Sequence, residues 1–170
     1  MATKKVVVTD PLQPSYTYEL TAPTGKQFAP EFKPDLTPKE MLLLGIFGGD
    51  YFEGEIDEYP TSWFAHAKQT QMGKYDKNVN YFRVRASQSR EEWQKKGWIY
   101  VDDPRGWFQW YCRYYLGRRL PDEDARQIRR WQNMSRHLSQ ITLHCRKGDA
   151  TCRPRQRQAV LHWAYNSPVL

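Results

Sequence analysis

The sequence predicts a single, mainly α domain with an extended N-terminal arm, and three observations lead to this prediction. First, five prolines fall within residues 1–36: Pro11, Pro14, Pro23, Pro30 and Pro34. Proline fixes φ and donates no backbone N–H, so this region cannot form a regular helix. Second, helix-capping motifs precede apolar runs in the rest of the chain. Third, seven Trp, eleven Tyr and seven Phe supply much of the apolar content, so we expect a core built from aromatic rings.

The predicted arm covers residues 1–36 and the helical domain covers residues 37–170. Within the arm, residues 6–8 and 16–20 are rich in β-branched or aromatic side chains and predict two short strands. A total of 170 residues fits one domain that carries such an arm.

Two capping boxes set the first predicted helices. Thr37 and Glu40 have the spacing of a capping box, with Pro38 at the first helical position, and open a helix that ends at the glycine pair 48–49. Ser89 and Glu92 open a second capped helix that stops at residue 97. Between these two helices we expect another over residues 62–68, preceded by the acidic loop DYFEGEIDEYP.

The stretch GWFQWYCRYYLGRR, residues 106–119, predicts an aromatic helix that starts at the Asp103–Pro104 cap and ends at Gly117. Its rings surround the helix on nearly all sides, which is typical of a buried helix, so most of them are predicted to be core. Only Gln109 and Arg113 look suited to water. Three nearby rings are candidates for exposed stacking surfaces: Tyr114, Tyr115 and Trp131.

A basic helix is predicted to follow from near Asp122, and one of its faces is polar. That face carries Arg126, Arg130, Asn133, His137 and Gln140, at helical spacings of three and four. These residue types reach phosphates and base edges, and with the aromatic helix and the turn GRRLP they resemble a helix-turn-helix in outline. A solvated charged face is the alternative interpretation. A last helix is predicted after residue 154 and ends near residue 165.

Charge is distributed unevenly along the chain. Residues 1–60 hold five Lys or Arg against ten Asp or Glu, whereas residues 61–170 hold twenty-one against nine. The excess favours an anionic partner for the rear half, and internal pairing of the two halves is the alternative. The leading hypothesis is nucleic-acid binding, DNA or RNA, by a basic surface. Its predicted contact residues are Arg118, Arg119, Arg126, Arg130, Asn133, His137, Gln140, Arg153, Arg155 and Arg157.

Two other functional hypotheses remain open at this stage. A small enzyme acting on a nucleotide or a nucleic-acid base would draw acid–base residues from the acidic loop and its surroundings, with Asp57, Glu58 and His66 as candidates. No phosphate-binding loop, nucleophile elbow or zinc-protease motif accompanies them, and we predict no cofactor. A structural protein whose arm docks on a neighbouring subunit, forming an oligomer, is the third hypothesis.

The three cysteines predict neither a disulfide framework nor a metal site. Their number is odd, and the Cys-x6-Cys spacing of Cys145 and Cys152 matches no zinc motif. The N-terminal apolar run is too short for a signal peptide, and no stretch has the length of a membrane span. We therefore expect a reducing, cytoplasmic setting and no membrane partner.

The chain resembles a family of small proteins rich in aromatic residues and arginine. The resemblance lies in the segments from LTPKEMLLLGIFGGDYFEGEIDEYPTSWF through GWFQWYCRYYLGRR to RPRQRQAVLHWAY. The resemblance covers most of the chain and is most specific at GWFQWYCRYYLGRR. It implies that the arm, the acidic loop and the helical rear form one unit. It carries over no activity, cofactor or catalytic residue.

Overall fold

The structure is a computed structural model that describes residues 3–170, and this range contains six α-helices and one two-stranded sheet. Strands β1 (Lys4–Val7) and β2 (Thr17–Leu20) pair in antiparallel register. The helices are α1 (Pro38–Leu44), α2 (Arg90–Lys95), α3 (Trp107–Leu116), α4 (Pro121–Asn133), α5 (Ser135–His144) and α6 (Pro154–Leu161). The predicted mainly α fold class is confirmed, with the two short strands inside the predicted arm.

The arm is an integral part of the core. Phe32 is buried and makes edge-on contacts with five rings of the helical region: Trp107, Trp110, Tyr111, Tyr114 and Trp131. The backbone N–H groups of Thr21 and Ala22 donate to the carbonyl of Gly117. The stretch from Thr21 to Phe32 is therefore held against the helical part of its own chain, and docking of the arm on a neighbouring subunit stays a prediction.

Helix α3 lies at the centre of the fold and ends as predicted. Gly117 adopts a left-handed backbone with φ of 119°, and its N–H donates to the carbonyls of Arg113 and Tyr114. A Cβ atom at this position would lie 2.0 Å from the carbonyl oxygen of Ala22, so any residue larger than glycine would clash with the arm. The rings of α3 are mostly core, which confirms the buried interpretation.

The polar residues of α3 contradict their prediction. Gln109 and Arg113 are both fully buried instead of facing water. The Arg113 guanidinium forms ion pairs with Glu58, at 2.7 Å, and with Asp103, at 3.1 Å. Asp103 also binds Arg118, so its carboxylate joins a buried ion network instead of capping the helix. For this reason α3 begins at Trp107, later than the sequence predicts.

Other helix boundaries differ because of tertiary hydrogen bonds. The helix predicted over residues 62–68 is only a short 3-10 turn at Thr61–Trp63, since the Lys68 N–H donates to the carbonyl of Leu42 in α1. α4 and α5 are separated at Met134. In the last turn of α4, the carbonyl of Trp131 accepts a hydrogen bond from the Tyr165 hydroxyl. α6 ends four residues before residue 165.

The cysteine prediction is also wrong. Cys145 and Cys152 form a disulfide that closes the connection between α5 and α6, while Cys112 is a free, buried thiol in α3. The short loop CRKGDATC brings the two sulfur atoms together, which an odd cysteine count does not exclude. The argument from cysteine count for a reducing setting therefore does not hold, and the cytoplasmic setting stays a prediction.

Candidate functional site

A cleft of about 630 Å³ opens between two parts of the helical region. One wall is the segment that runs from residue 86 through α2 to residue 99, and the other is formed by the end of α4 with parts of α5 and α6. Phe47, Tyr51 and Phe108 also line it. Among its lining residues within 3–170 there are three arginines and two histidines, and no aspartate or glutamate.

Four tryptophans line this cleft, and three of them, Trp93, Trp98 and Trp163, are not fully buried. Trp93 lies on α2, whose Ser89–Glu92 capping box is formed as predicted. The chain turns back at Gly97, where φ is +67°, so that the Trp98 N–H donates to the Trp93 carbonyl at 3.0 Å. Trp163, after α6, rests against the buried Trp107 with ring centroids 4.7 Å apart. Trp98 is 41% exposed, which is unusual for so large an apolar ring.

Arg130 joins the two walls. Its Nη1 donates to the Trp98 carbonyl at 3.1 Å and to the Gln127 amide oxygen at 2.8 Å, and the guanidinium lies 5.3 Å from the centre of the Trp163 ring. Burial, and then the neighbouring Arg126, lowers the pKa of Arg130 to about 10. Within residues 3–170 no carboxylate pairs with Arg130, and its Nε and Nη2 have no acceptor. An incompletely solvated cation of this kind is stabilised by an anion.

The remaining cations of the cleft are accessible. Arg136 and Arg155 are exposed, and neither makes an ion pair or a side-chain hydrogen bond to any described residue. His137 lies between them and accepts a hydrogen bond at Nδ1 from the Gln156 amide, at 3.2 Å. Burial, and then the nearby Arg136, lowers the pKa of His137 below its usual value, so the ring is neutral at pH 7 and its Nε2 carries the proton.

His162 is a buried histidine in the wall between Phe47 and α6. Its ring stacks on Phe47 with centroids 4.1 Å apart. Its Nε2 accepts from the Phe47 N–H at 3.4 Å and from the Gln158 amide at 2.9 Å. Burial lowers the pKa of His162 to about 3, so the imidazole is uncharged at neutral pH.

Four of the ten predicted contact residues line the cleft: Arg130, Asn133, His137 and Arg155. Two others are wrong, because Arg118 and Arg157 are buried. Arg118 forms an ion pair with Asp103, and Arg157 donates to backbone carbonyls, among them that of Cys152. These guanidiniums are committed to the core and cannot contact a phosphate in this fold.

The other predicted contacts lie outside the cleft. Arg119 donates to four backbone carbonyls, two of them in the arm, and Arg126 pairs with Glu123 at 2.7 Å. Arg153 donates to Gln156, and Gln140 is exposed on α5. The helix-turn-helix interpretation is weakened, because α3 is buried and both arginines of the turn, Arg118 and Arg119, are bonded within the protein. Of the three rings proposed for stacking, Tyr114 and Trp131 are buried and Tyr115 is partly buried.

The acidic loop does not contribute to the cleft. Glu58 is held by Arg113 and accepts from the Tyr18 hydroxyl at 2.6 Å, so its carboxylate has a structural role. Asp57 and His66 are exposed and do not line the opening. The structure therefore does not gather these three candidates into one site. Within residues 3–170, no group of three or more His, Cys, Asp or Glu is arranged to hold a metal ion.

Sequence reasoning missed half of the cleft. The residues it did not assign to a nucleic-acid contact are Trp93, Trp98, Arg136, His162 and Trp163. A usable signal was present in EEWQKKGW, where two tryptophans stand among charged residues, since a helix so polar cannot bury both rings. Nothing in the sequence pattern shows that this segment faces α4 and α6.

Comparison of this chain with protein-family models, curated proteins and solved structures finds no match. The resemblance noted from the sequence therefore stays a prediction, and the functional argument depends on the cleft itself. None of the helices within residues 3–170 combines the length and the apolar character needed to cross a membrane.

Proposed function

We propose that this protein binds single-stranded nucleic acid, with bases in the tryptophan-lined cleft and phosphates on its arginines. The observation that carries the proposal is the composition of the cleft. Three incompletely buried tryptophans stand beside three arginines, and no carboxylate of the described chain lines the opening. Such a surface attracts a ligand that is both planar and negatively charged.

Base stacking accounts for the aromatic part of the site. Alanine substitutions in proteins that bind single strands place one base–aromatic stack at about 1–3 kcal/mol, and every base has a face that can stack. The cavity volume of about 630 Å³ is within the usual range of about 300–1,000 Å³ for small-ligand sites. A base that is already unstacked can enter such a cleft, whereas a duplex would have to open first.

Phosphate binding accounts for the arginines. Arg136 and Arg155 are exposed, and the Nε and Nη2 groups of Arg130 have no partner among the described residues, with no described carboxylate neutralising any of the three. Guanidinium groups suit bidentate contact with phosphate oxygens. The cations of the cleft are thus available to a ligand, unlike Arg113 and Arg118, which are neutralised inside the protein.

The test is binding of labelled oligonucleotides, single- and double-stranded, by two double variants that remove the same charge. Arg136→Gln with Arg155→Gln changes the cleft. Arg129→Gln with Arg146→Gln removes two exposed arginines that do not line it. We expect the first variant to weaken single-strand binding at least tenfold and the second to weaken it only slightly, with unchanged unfolding temperatures.

Three outcomes would contradict the proposal. Equal weakening by the two double variants indicates a diffuse charge effect without a cleft. Tighter binding of a duplex than of the matching single strand removes the stacking argument. Absence of binding to any oligonucleotide at low salt, where electrostatic attraction is strongest, refutes nucleic-acid binding altogether.

A further inference from the structure

The protonation of His162 is fixed by its neighbours. The Phe47 backbone N–H can only donate, so the Nε2 it contacts must accept. The Gln158 side-chain oxygen accepts from the Phe82 N–H at 3.0 Å, which leaves its amide nitrogen as the donor to the same Nε2. An imidazole whose Nε2 accepts two hydrogen bonds carries its single proton on Nδ1.

The Nδ1–H of His162 has no hydrogen-bond partner among residues 3–170. No acceptor of residues 3–170 lies within hydrogen-bond reach of it, yet Nδ1 is absent from the inaccessible polar atoms that lack partners. The side chain is 3% exposed and is one of the residues that line the cleft, so we infer that its unpartnered Nδ1–H faces the opening. The hydrogen bonds at Nε2 keep the proton on Nδ1, and a nearly buried donor without an acceptor is unfavourable. A ligand that supplies an acceptor at this position would therefore be stabilised.

We propose that the Nδ1–H of His162 reads the base in the cleft by donating to an acceptor on its edge, such as a carbonyl oxygen of thymine or uracil. This inference rests on the proposed function and makes His162 a specificity-determining residue. Arg130, with its two unpartnered groups on the same cleft, takes the adjoining phosphate. One nucleotide is thereby held at two points, a neutral donor for the base and a cation for the phosphate.

The low basicity of His162 suits this role. The groups that face the ring are Phe47 and Gln158, which are uncharged, and burial keeps the imidazole neutral well below pH 7. The donor is therefore present in one form over the physiological range. The contact it makes with a base is predicted to be independent of pH between about 5 and 8.

Two reciprocal substitutions separate the structural half of the imidazole from its ligand-facing half. In His162→Gln the side-chain amide reaches the position of Nε2, so an acceptor for Phe47 and Gln158 is retained while the Nδ1 donor is lost. In His162→Asn the amide lies at the position of Nδ1, so a donor is retained while the inner acceptor is lost. His144→Gln is the matched control, because His144 is exposed and does not line the cleft.

The measurement is the affinity of each protein for an eight-residue oligothymidylate and for an eight-residue abasic strand with the same phosphates. We expect the wild type and H144Q to prefer the oligothymidylate. H162Q should lose roughly three- to tenfold in affinity for it, the loss of about one hydrogen bond, with unchanged affinity for the abasic strand. H162N should keep the preference even if its unfolding temperature falls.

The outcomes distinguish this inference from the proposed function. If H162Q is folded and binds both strands as the wild type does, or if H162N loses the preference while folded, the role of His162 is refuted and nucleic-acid binding stands. If the wild type binds the two strands equally, the cleft does not read bases. If the wild type binds neither strand, both the proposed function and this inference fail.

Discussion

Arg113 of α3 holds Glu58 of the acidic loop in a two-pronged ion pair, with Nε–Oε1 and Nη2–Oε2 distances of 2.7 and 2.9 Å. The Arg113 side chain is fully buried and that of Glu58 is 6% exposed. Although burial opposes the charge, the hydrogen bond to Glu58 raises the pKa of Arg113 well above its ordinary value. The pair joins the acidic N-terminal part of the chain to the basic rear part inside the core.

A second buried arginine repeats this arrangement. Arg105 binds Asp10 of the arm at 2.6 Å and Glu53 of the acidic loop at 3.0 Å. Part of the charge asymmetry of the sequence is thus compensated internally, as the alternative interpretation held. The arginines of the cleft have no such partners among the described residues, so they belong to the part of the positive charge that is not compensated internally.

Removing Arg113 should destabilise the protein severely. Arg113→Met keeps the length of the side chain but leaves Glu58 and Asp103 buried without their cation. We expect the free energy of unfolding to fall by about 3–5 kcal/mol, measured by urea denaturation. Arg129→Met, at an exposed position of α4, should change it by less than about 0.5 kcal/mol. Similar losses in the two variants would show that the buried ion pair has no special role.

The salt dependence of binding should report the number of phosphates that the cleft neutralises. For single strands, log affinity falls against log salt concentration with a slope of about −0.7 per neutralised phosphate. Arg136→Gln and Arg155→Gln should each make the slope shallower by about 0.7, measured by fluorescence anisotropy from low to physiological salt. Arg146→Gln, outside the cleft, should leave it unchanged. A slope that is the same in all four proteins argues against direct phosphate contacts by Arg136 and Arg155.

Stability should fall in acid because His162 is buried in its neutral form. Its folded pKa of about 3 lies below the ordinary value of 6.5, so between these limits the unfolded chain binds a proton that the folded protein excludes. Stability from this group is therefore complete above about pH 6.5 and is lost as the pH falls towards 3. We expect the free energy of unfolding of the wild type to fall by about 2 kcal/mol more than that of His162→Gln between pH 7 and pH 5. Chemical denaturation of both proteins at the two pH values measures this difference. Parallel pH profiles for the two proteins would contradict this.

Reduction of the disulfide should lower stability. The bond between Cys145 and Cys152 restricts the unfolded chain over the loop that joins α5 to α6, and a loop of this size contributes about 2–3 kcal/mol by chain entropy. The unfolding temperature of the wild type should drop in dithiothreitol. A double variant, Cys145→Ser with Cys152→Ser, should start near the lower value and show no further response. A wild type insensitive to reductant would show that the bond contributes little.

The sequence by itself determined the fold class, because capping boxes, proline density and the aromatic run are local signals. Thr37 with Glu40 and Ser89 with Glu92 cap helices as predicted, Gly117 ends α3, and the rings around it are core. These features depend on residues within a turn or two of one another. Local chemistry is sufficient to specify them.

Only the tertiary structure decided which arginines are accessible to a ligand and which are buried in the core. Arg118 and Arg119 follow the same helix and Arg155 and Arg157 share another, yet burial and partners differ within each pair. Arg105 and Arg113 pair with carboxylates from distant segments of the chain, and the two walls of the cleft also come from distant segments. Desolvation and ion pairing depend on those long-range neighbours, so neither residue type nor helical spacing could assign an arginine to the core or to a ligand.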